Sequence, residues 1–224
     1  SDVYKRQSGR FMMNHKPAPV SEPILDCLKN RWSPVVFDSR PVDLSVIKSI
    51  FEAARWAASC FNEQPWRFIV VERDSVDFGK AIDCLVEANQ VWAKDAPLLV
   101  FTAVAKQLER NGNPNRCAEH DLGLAVGNLS IQATAHGLSV HQMGGINLSK
   151  VRLTYQIPDN FDPVTALAIG YAGDPTQAPP GLSERDASPR SRRPNEATVF
   201  GSEGWGQAAS YCCLLYTSDA ADES

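Results

Sequence analysis

Asn62-Glu63-Gln64-Pro65-Trp66-Arg67-Phe68-Ile69-Val70-Val71 is the stretch on which the reading of this chain turns. It sets two neutral amides and a proline at the entrance to an apolar run, just after a helix-like segment at residues 44–58. Proline biases the residue before it toward extended geometry, so Gln64 is expected to be extended. Alternate residues of an extended chain face the same way, which lets Asn62 and Gln64 project together. Two amides offer donors and acceptors without net charge, a combination suited to the edge of a planar heterocycle. The stretch therefore predicts a ligand-reading entrance more than a catalytic centre.

Working outward, Leu44, Ile47, Ile50, Phe51 and Ala54 recur at three- and four-residue spacing, with Asp43 placed to cap them. Upstream, Ile24, Leu25 and Leu28 have helical spacing and run into Asn30-Arg31-Trp32-Ser33-Pro34, where a helix must stop. Downstream, residues 68–71 and 98–104 read as buried strands, with helical pattern at 78–88. Residues 108–117 read as a loop, with Gly112 and Pro114. The longest helix is expected over residues 119–136, ended by Gly137. A short strand at 139–143 breaks at Gly144-Gly145, Asn147 caps a helix running to Tyr155, and residues 165–170 form the last core strand. Past Gly173 the composition turns to Pro, Ser, Gly and Arg without periodicity, so this arm is expected to lie across another surface. Helices and strands mix without a regular βαβ rhythm, which favours α+β.

Composition narrows the class. The chain has 224 residues, 43% hydrophobic and 21% charged, enough for one full core. A net charge of −4 gives no reason to expect nucleic acid or an anionic membrane as partner. No apolar run approaches the roughly 20 residues of a spanning helix, and the amino terminus lacks a secretion pattern, so cytoplasm is expected. The six cysteines, Cys27, Cys60, Cys84, Cys117, Cys212 and Cys213, include no C-x-x-C pair and no His cluster at ligand spacing. Reduced thiols and no metal are expected. Residues 1–7 and 212–224 resemble translated sequencing-adapter read-through, so a single domain over residues 8–211 is expected.

Three more elements carry candidate chemistry. Arg31-Trp32-Ser33 sits at a helix end, where a guanidinium and a hydroxyl two residues apart can both donate to a phosphate. In Pro189-Arg190-Ser191-Arg192-Arg193-Pro194 the prolines favour extended chain, which sets Arg190 and Arg192 on one side, about 6.6 Å apart. Met143-Gly144-Gly145 follows a strand, and glycines there let main-chain N–H groups approach a flat ligand. There is no G-x-G-x-x-G, Walker loop, G-x-S-x-G or H-E-x-x-H. His120, His136 and His141 could include a base, His136 reads as a helix-end residue, and Asp121 and Asp174 have no evident catalytic mate.

In this order the elements resemble the flavin-dependent nitroreductase family, from about residue 22 to 206. Arg31-Trp32-Ser33 matches that family's Arg-x-Ser, and Ala58-Ser59-Cys60-Phe61-Asn62-Glu63-Gln64-Pro65-Trp66 its Pro-Ser-Ser-x-Asn-x-Gln-Pro-Trp signature. Arg190, Ser191, Arg192 and Pro194 match its closing basic motif. The resemblance implies a mixed central sheet flanked by helices, with an extended C-terminal arm wrapping a partner subunit. It implies a homodimer with FMN at the interface, and NADH or NADPH as electron donor. Arg31, Ser33, Arg190 and Arg192 would hold the phosphate. Ser59, Cys60 and Asn62 would touch the flavin from the other subunit, with Gln64 nearby. Gly144 and Gly145 would present N–H groups to its N5 and O4 edge.

Three positions depart from the family. Ala58 replaces a proline, Cys60 a serine, and Val35 stands where many members carry a basic residue near the pyrimidine edge. The last change implies weaker stabilisation of the reduced anionic flavin, which a Val35→Lys variant with a higher midpoint potential would report. The expected activity is reduction of nitroaromatic, quinone or similar electron-poor acceptors in two half-reactions, with no catalytic side chain. Reduction of an enal or semialdehyde, or aromatic dehalogenation, is the alternative on the same fold, the acceptor side falling within residues 78–92 and 111–116. A flavin-binding protein without turnover and a cofactor-free interaction domain are the other classes.

Overall fold

The structure is a computed structural model that describes residues 16–210. The terminal segments 1–7 and 212–224, with Cys212 and Cys213, lie outside the described residues. The chain divides after Ser188 into a large unit and a small one that starts at Pro189.

The large unit opens with α1 (Asp26–Asn30) and a two-residue strand, β1 (Phe37–Asp38). Then come α2 (Leu44–Arg55), β2 (Trp66–Glu72), α3 (Phe78–Asp83), α4 (Glu87–Ala93) and β3 (Leu98–Ala105). The long α5 (Ala118–Ala135), β4 (Ser139–Met143), α6 (Leu148–Thr154), β5 (Phe161–Ala172) and α7 (Pro180–Ala187) complete it. β5 is the hub: it pairs with β3, β4 and β1, and β3 pairs with β2, all antiparallel. Residues 166–169 of β5 pair with β3 and β4 at once, so those two lie on opposite edges of it. The lateral order is thus β4-β5-β3-β2.

Helices cover both faces, and the alternation of β3 divides its side chains between two cores. Leu99 and Phe101 join Trp92, Val35, Met143 and Val151 on one face. Leu98 and Val100 join Ile50, Leu122, Leu129 and Val140, beneath α2 and α5, on the other. Being covered twice, β3 is buried along nearly its whole length and apolar except for Thr102, despite its antiparallel partners. The α+β class holds.

Several local expectations change. Asp43 occupies the N-cap position of α2, but its carboxylate makes no cap bond. Helical pattern over 78–88 resolves into α3 and α4, separated at Cys84–Val86. Asn147 does cap α6, its Oδ1 accepting the Lys150 N–H at 2.9 Å. Gly137 at φ 76 ends α5 as expected. The stretch past Gly173 is not structureless, because α7 forms there with Pro180 in its first turn. α1 forms, but Ile24, Leu25 and Leu28 are exposed, so their helical spacing does not mark core in this chain.

The small unit, over its described residues 189–210, contains a 3-10 turn at Asn195–Ala197 and an isolated bridge from Phe200 to Ala208. The Phe200 and Trp205 rings pack with centroids 5.0 Å apart. Arg190 and Arg192 belong to this unit.

Candidate active site

β4 carries two of the predicted groups. Near its start, the Ser33 hydroxyl donates to the Val140 carbonyl at 3.2 Å and accepts from the Arg31 guanidinium at 3.3 Å. Arg31 is extended (ψ 123), which sets residues 31 and 33 on one side and Trp32 on the other. Trp32 instead lines a cleft of about 1090 Å³ with Tyr171, Asp174 and Leu182. Four residues past Val140, about 13 Å at the rise of a strand, come Gly144 and Gly145.

The two glycines differ. A β-carbon on Gly145 would lie 2.7 Å from Asn89 Nδ2 and 2.8 Å from Val86 Cγ2, because α4 packs directly against it. Asn89 Nδ2 and the Val86 N–H both donate to the Gly145 carbonyl, each at 3.0 Å. Gly144 is exposed, with nothing within 4 Å of where a β-carbon would stand. One glycine seats the turn on α4 and the other leaves its backbone open to a ligand.

The signature at residues 59–64 is not the extended entrance expected. Cys60–Asn62 form a 3-10 turn, and Phe61, Asn62 and Gln64 have φ of 53, 59 and 48. Internal hydrogen bonds outweigh the bias from Pro65: the Gln64 N–H donates to Ser59 Oγ at 3.0 Å, and Gln64 Nε2 to the Asn62 carbonyl at 2.8 Å. One N–H of the Gln64 side-chain amide is therefore engaged in the turn, and Asn62 is exposed beside it.

The turn is clamped by residues that carry no such role in the sequence reading, among them Asp121, which reads there only as an acid without a catalytic mate. Asp121, buried in the first turn of α5, accepts the Cys60 N–H through Oδ2 at 3.0 Å. Glu63 accepts the Glu109 N–H at 2.6 Å, and the Arg110 guanidinium lies 3.7 Å from the centre of the Phe61 ring. Asp186 of α7, also buried, accepts the Val35 N–H at 3.0 Å and the Val36 N–H at 3.0 Å. A carboxylate that closes on backbone 61 or 151 residues away leaves no local pattern in sequence; Asn89 lay inside the acceptor region but unmarked within it.

Of the candidate bases, His141 is buried, its Nδ1 donating to the Pro34 carbonyl at 2.7 Å and its ring 4.5 Å from that of Trp92. Burial lowers its pKa, so it is neutral and structural. His136 bonds Ser49 Oγ at 3.0 Å at the end of α5. Among the described residues no group of three or more His, Cys, Asp or Glu could hold a metal ion.

All predicted groups of the large unit reach the sheet, but not as one cluster. Met143 pairs with Ala166, and Trp66 with Val104, so Gly144 and the signature turn flank the same sheet end. Between β4 and β2 lie β5 and β3, which separates them by about 14 Å of strand spacing.

The Nitroreductase family profile matches residues 28–171, more than half of the chain. This chain belongs to the nitroreductase family. Membership makes it an oxidoreductase. A Mycolicibacterium smegmatis protein named "Uncharacterized 15.4 kDa protein in ask 5'region" is 34% identical over 148 residues, covering 62% of this chain and 97% of that one. The "Major NAD(P)H-flavin oxidoreductase" of Aliivibrio fischeri is 39% identical over 57 residues, 25% of this chain and 26% of its own. A crystal structure described as "the oxidoreductase containing FMN" superposes with a TM-score of 0.79 at 33% identity, covering 85% of this chain and 98% of that one. The nitroreductase family protein of Streptococcus pneumoniae TIGR4 has a TM-score of 0.62 at 21% identity, over 79% and 98% of the two chains, and shares the fold. No helix among the described residues is long and apolar enough to cross a membrane.

Proposed function

We propose that this chain is an FMN-dependent oxidoreductase that takes electrons from NADH or NADPH and passes them to nitroaromatic, quinone or similar electron-poor acceptors. The observation that carries this reading is the use of β4 as a ruler. Arg31 and Ser33 stand near its start, at Val140, and Gly144-Gly145 follow its end, which sets phosphate donors at one side and open backbone for a ring at the other. The open face at Gly144 and the Arg31 guanidinium fit that group, and the Ser33 hydroxyl would exchange its bond to Val140 for one to the phosphate. FMN, when bound, supplies the hydride and electron chemistry.

The protein's part is positioning. Arg31 and Ser33 hold the phosphate, joined by Arg190 and Arg192. Gly144 and Gly145 give main-chain N–H groups to the ring edge, with Gly145 kept in place by Asn89 and Val86. Ser59, Cys60 and Asn62 face the ring from a second copy of the chain. The two strands between the glycines and the signature turn of one subunit favour this homodimer. No side-chain acid or base is assigned to the chemistry. The carboxy-terminal arm past α7 wraps the partner, α7 itself being held to residues 35 and 36 of its own chain by Asp186, and residues 8–211 form the working domain.

The test is a titration of purified full-length protein with FMN, recording the visible spectrum and the solution mass. Stoichiometric binding to a dimer, bleached anaerobically by NADH or NADPH and recoloured by a quinone, is the expected result. A folded monomer that ignores FMN would overturn the reading.

A further inference from the structure

The signature turn and the start of α5 each carry a thiol. Cys60 is held by the 3.0 Å bond from its N–H to Asp121 Oδ2. Cys117 stands one helical turn before Asp121, whose own N–H donates to the Cys117 carbonyl at 2.9 Å. Residues four apart on a helix share a face, so the clamp that positions Cys60 brings it to the side of α5 on which Cys117 lies. Both thiols are free and partly exposed. The Cys117 N–H is itself fixed by Asn115 Oδ1 at 3.2 Å. Asn115 is only 9% exposed, and its Nδ2 has no partner among the described residues.

We propose that Cys60 and Cys117 are an oxidation site, forming a reversible disulfide that ties the signature turn to α5. The oxidant is a hydroperoxide. A thiolate attacks one peroxide oxygen, an S–O bond forms, the O–O bond breaks, and an alcohol or water leaves. The second thiol then attacks that sulfur, an S–S bond forms and water leaves. Two thiols and one hydroperoxide give one disulfide, one alcohol or water, and one water.

The neighbourhood sets the conditions. Partial burial first, then the neighbouring Cys117 thiol and the Asp121 carboxylate, push the Cys60 thiol above its ordinary pKa. The thiolate is the nucleophile, so pairing accelerates in alkaline buffer. Phe61 and Asn62 hold left-handed backbone, which crowds the β-carbon of a residue such as Phe61 against the following carbonyl. A cross-link at Cys60 is a lever on this strained turn. Its effect on FMN rests on the proposed function; the cross-link itself does not.

The experiment treats the full chain with hydrogen peroxide, blocks remaining thiols by alkylation, and maps peptides by mass spectrometry without reduction. A peptide joining Cys60 to Cys117, lighter by two hydrogens, released by dithiothreitol and missing from a Cys117→Ser variant, is expected. Alkylation of both thiols after treatment that oxidises free cysteine added as a control, or pairing of either with another cysteine, would overturn it. FMN affinity measured on the cross-linked chain is expected to change several-fold against the reduced one. A chain that cross-links but never binds FMN would sink the function reading and leave the oxidation site standing.

Discussion

Gly144 and Gly145 are adjacent and chemically identical, yet their substitutions should separate. At Gly145 an added methyl meets Asn89 and Val86 below 3 Å, and Asn89 must give up its bond to the Gly145 carbonyl. Overpacking of this kind costs about 1–3 kcal/mol. Gly145→Ala should therefore melt lower than the parent. Gly144→Ala meets open space and should melt with the parent while binding FMN more weakly, which differential scanning fluorimetry and a flavin titration resolve. Equal melting of the two variants would remove the packing argument. Arg31→Ala tests the other end of β4: a charge-assisted hydrogen bond is worth about 1.5–3 kcal/mol, tenfold or more in FMN dissociation constant. Val35 is a different case. Only 1% exposed and packed in the core, it would force a lysine into apolar surroundings, so Val35→Lys should unfold before it reports a flavin potential.

Elements are held here by carboxylates acting on distant backbone. Asp186 anchors α7 to residues 35 and 36, and Asp121 anchors the signature turn to α5. Asp186→Ala strands two N–H groups, at about 1–3 kcal/mol for each that stays dry, and should lower the melting temperature on the order of 5–15 °C. Asp186→Asn keeps an acceptor and should lose less. If alanine and asparagine melt alike, the bonds to Val35 and Val36 are not what docks α7. Asp121 reads in sequence as a helix residue without a mate, and His120 beside it as a candidate base. The structure turns this round: Asp121 is buried and builds the turn, whereas His120 is exposed and lies 3.3 Å from it.

At the scale of the molecule, the buried His141 makes stability depend on pH. Burial, aided by the Arg185 charge, lowers its pKa, while Asp186 and the Pro34 and Ser33 carbonyls oppose that shift. The folded state thus stays neutral where the unfolded chain takes up a proton near pH 6.5. Below that pH the unfolded state binds more protons, so stability falls as pH falls until the folded imidazole titrates as well. Urea midpoints at about pH 7.5 and about pH 5.5 should differ, and by less in His141→Gln. An undiminished difference in the variant would assign the effect to other groups. Ile24 and Leu25, just before α1, and Leu28 within it are exposed apolar side chains, the kind of surface that a subunit interface covers.

By itself the sequence determined the order and kind of most elements, though not the strand β1, the break between α3 and α4, or α7. The buried strands, the long α5 with its Gly137 stop, the capped α6 and the family motifs are all legible, because period, caps and breakers act over a few residues. It determined the family for the same reason, since three short motifs stand in order. Tertiary structure decided what depends on distant partners. Ser59 and Pro65 lie in plain view, but local bonds and the clamp from Asp121 turned the expected extended entrance into a left-handed turn. Only folding set Ser33 against Val140, Asn89 against Gly145 and Asp186 against Val35. Hydrogen bonds and close packing act through space, and residues that meet across the sheet carry no mark of each other along the chain.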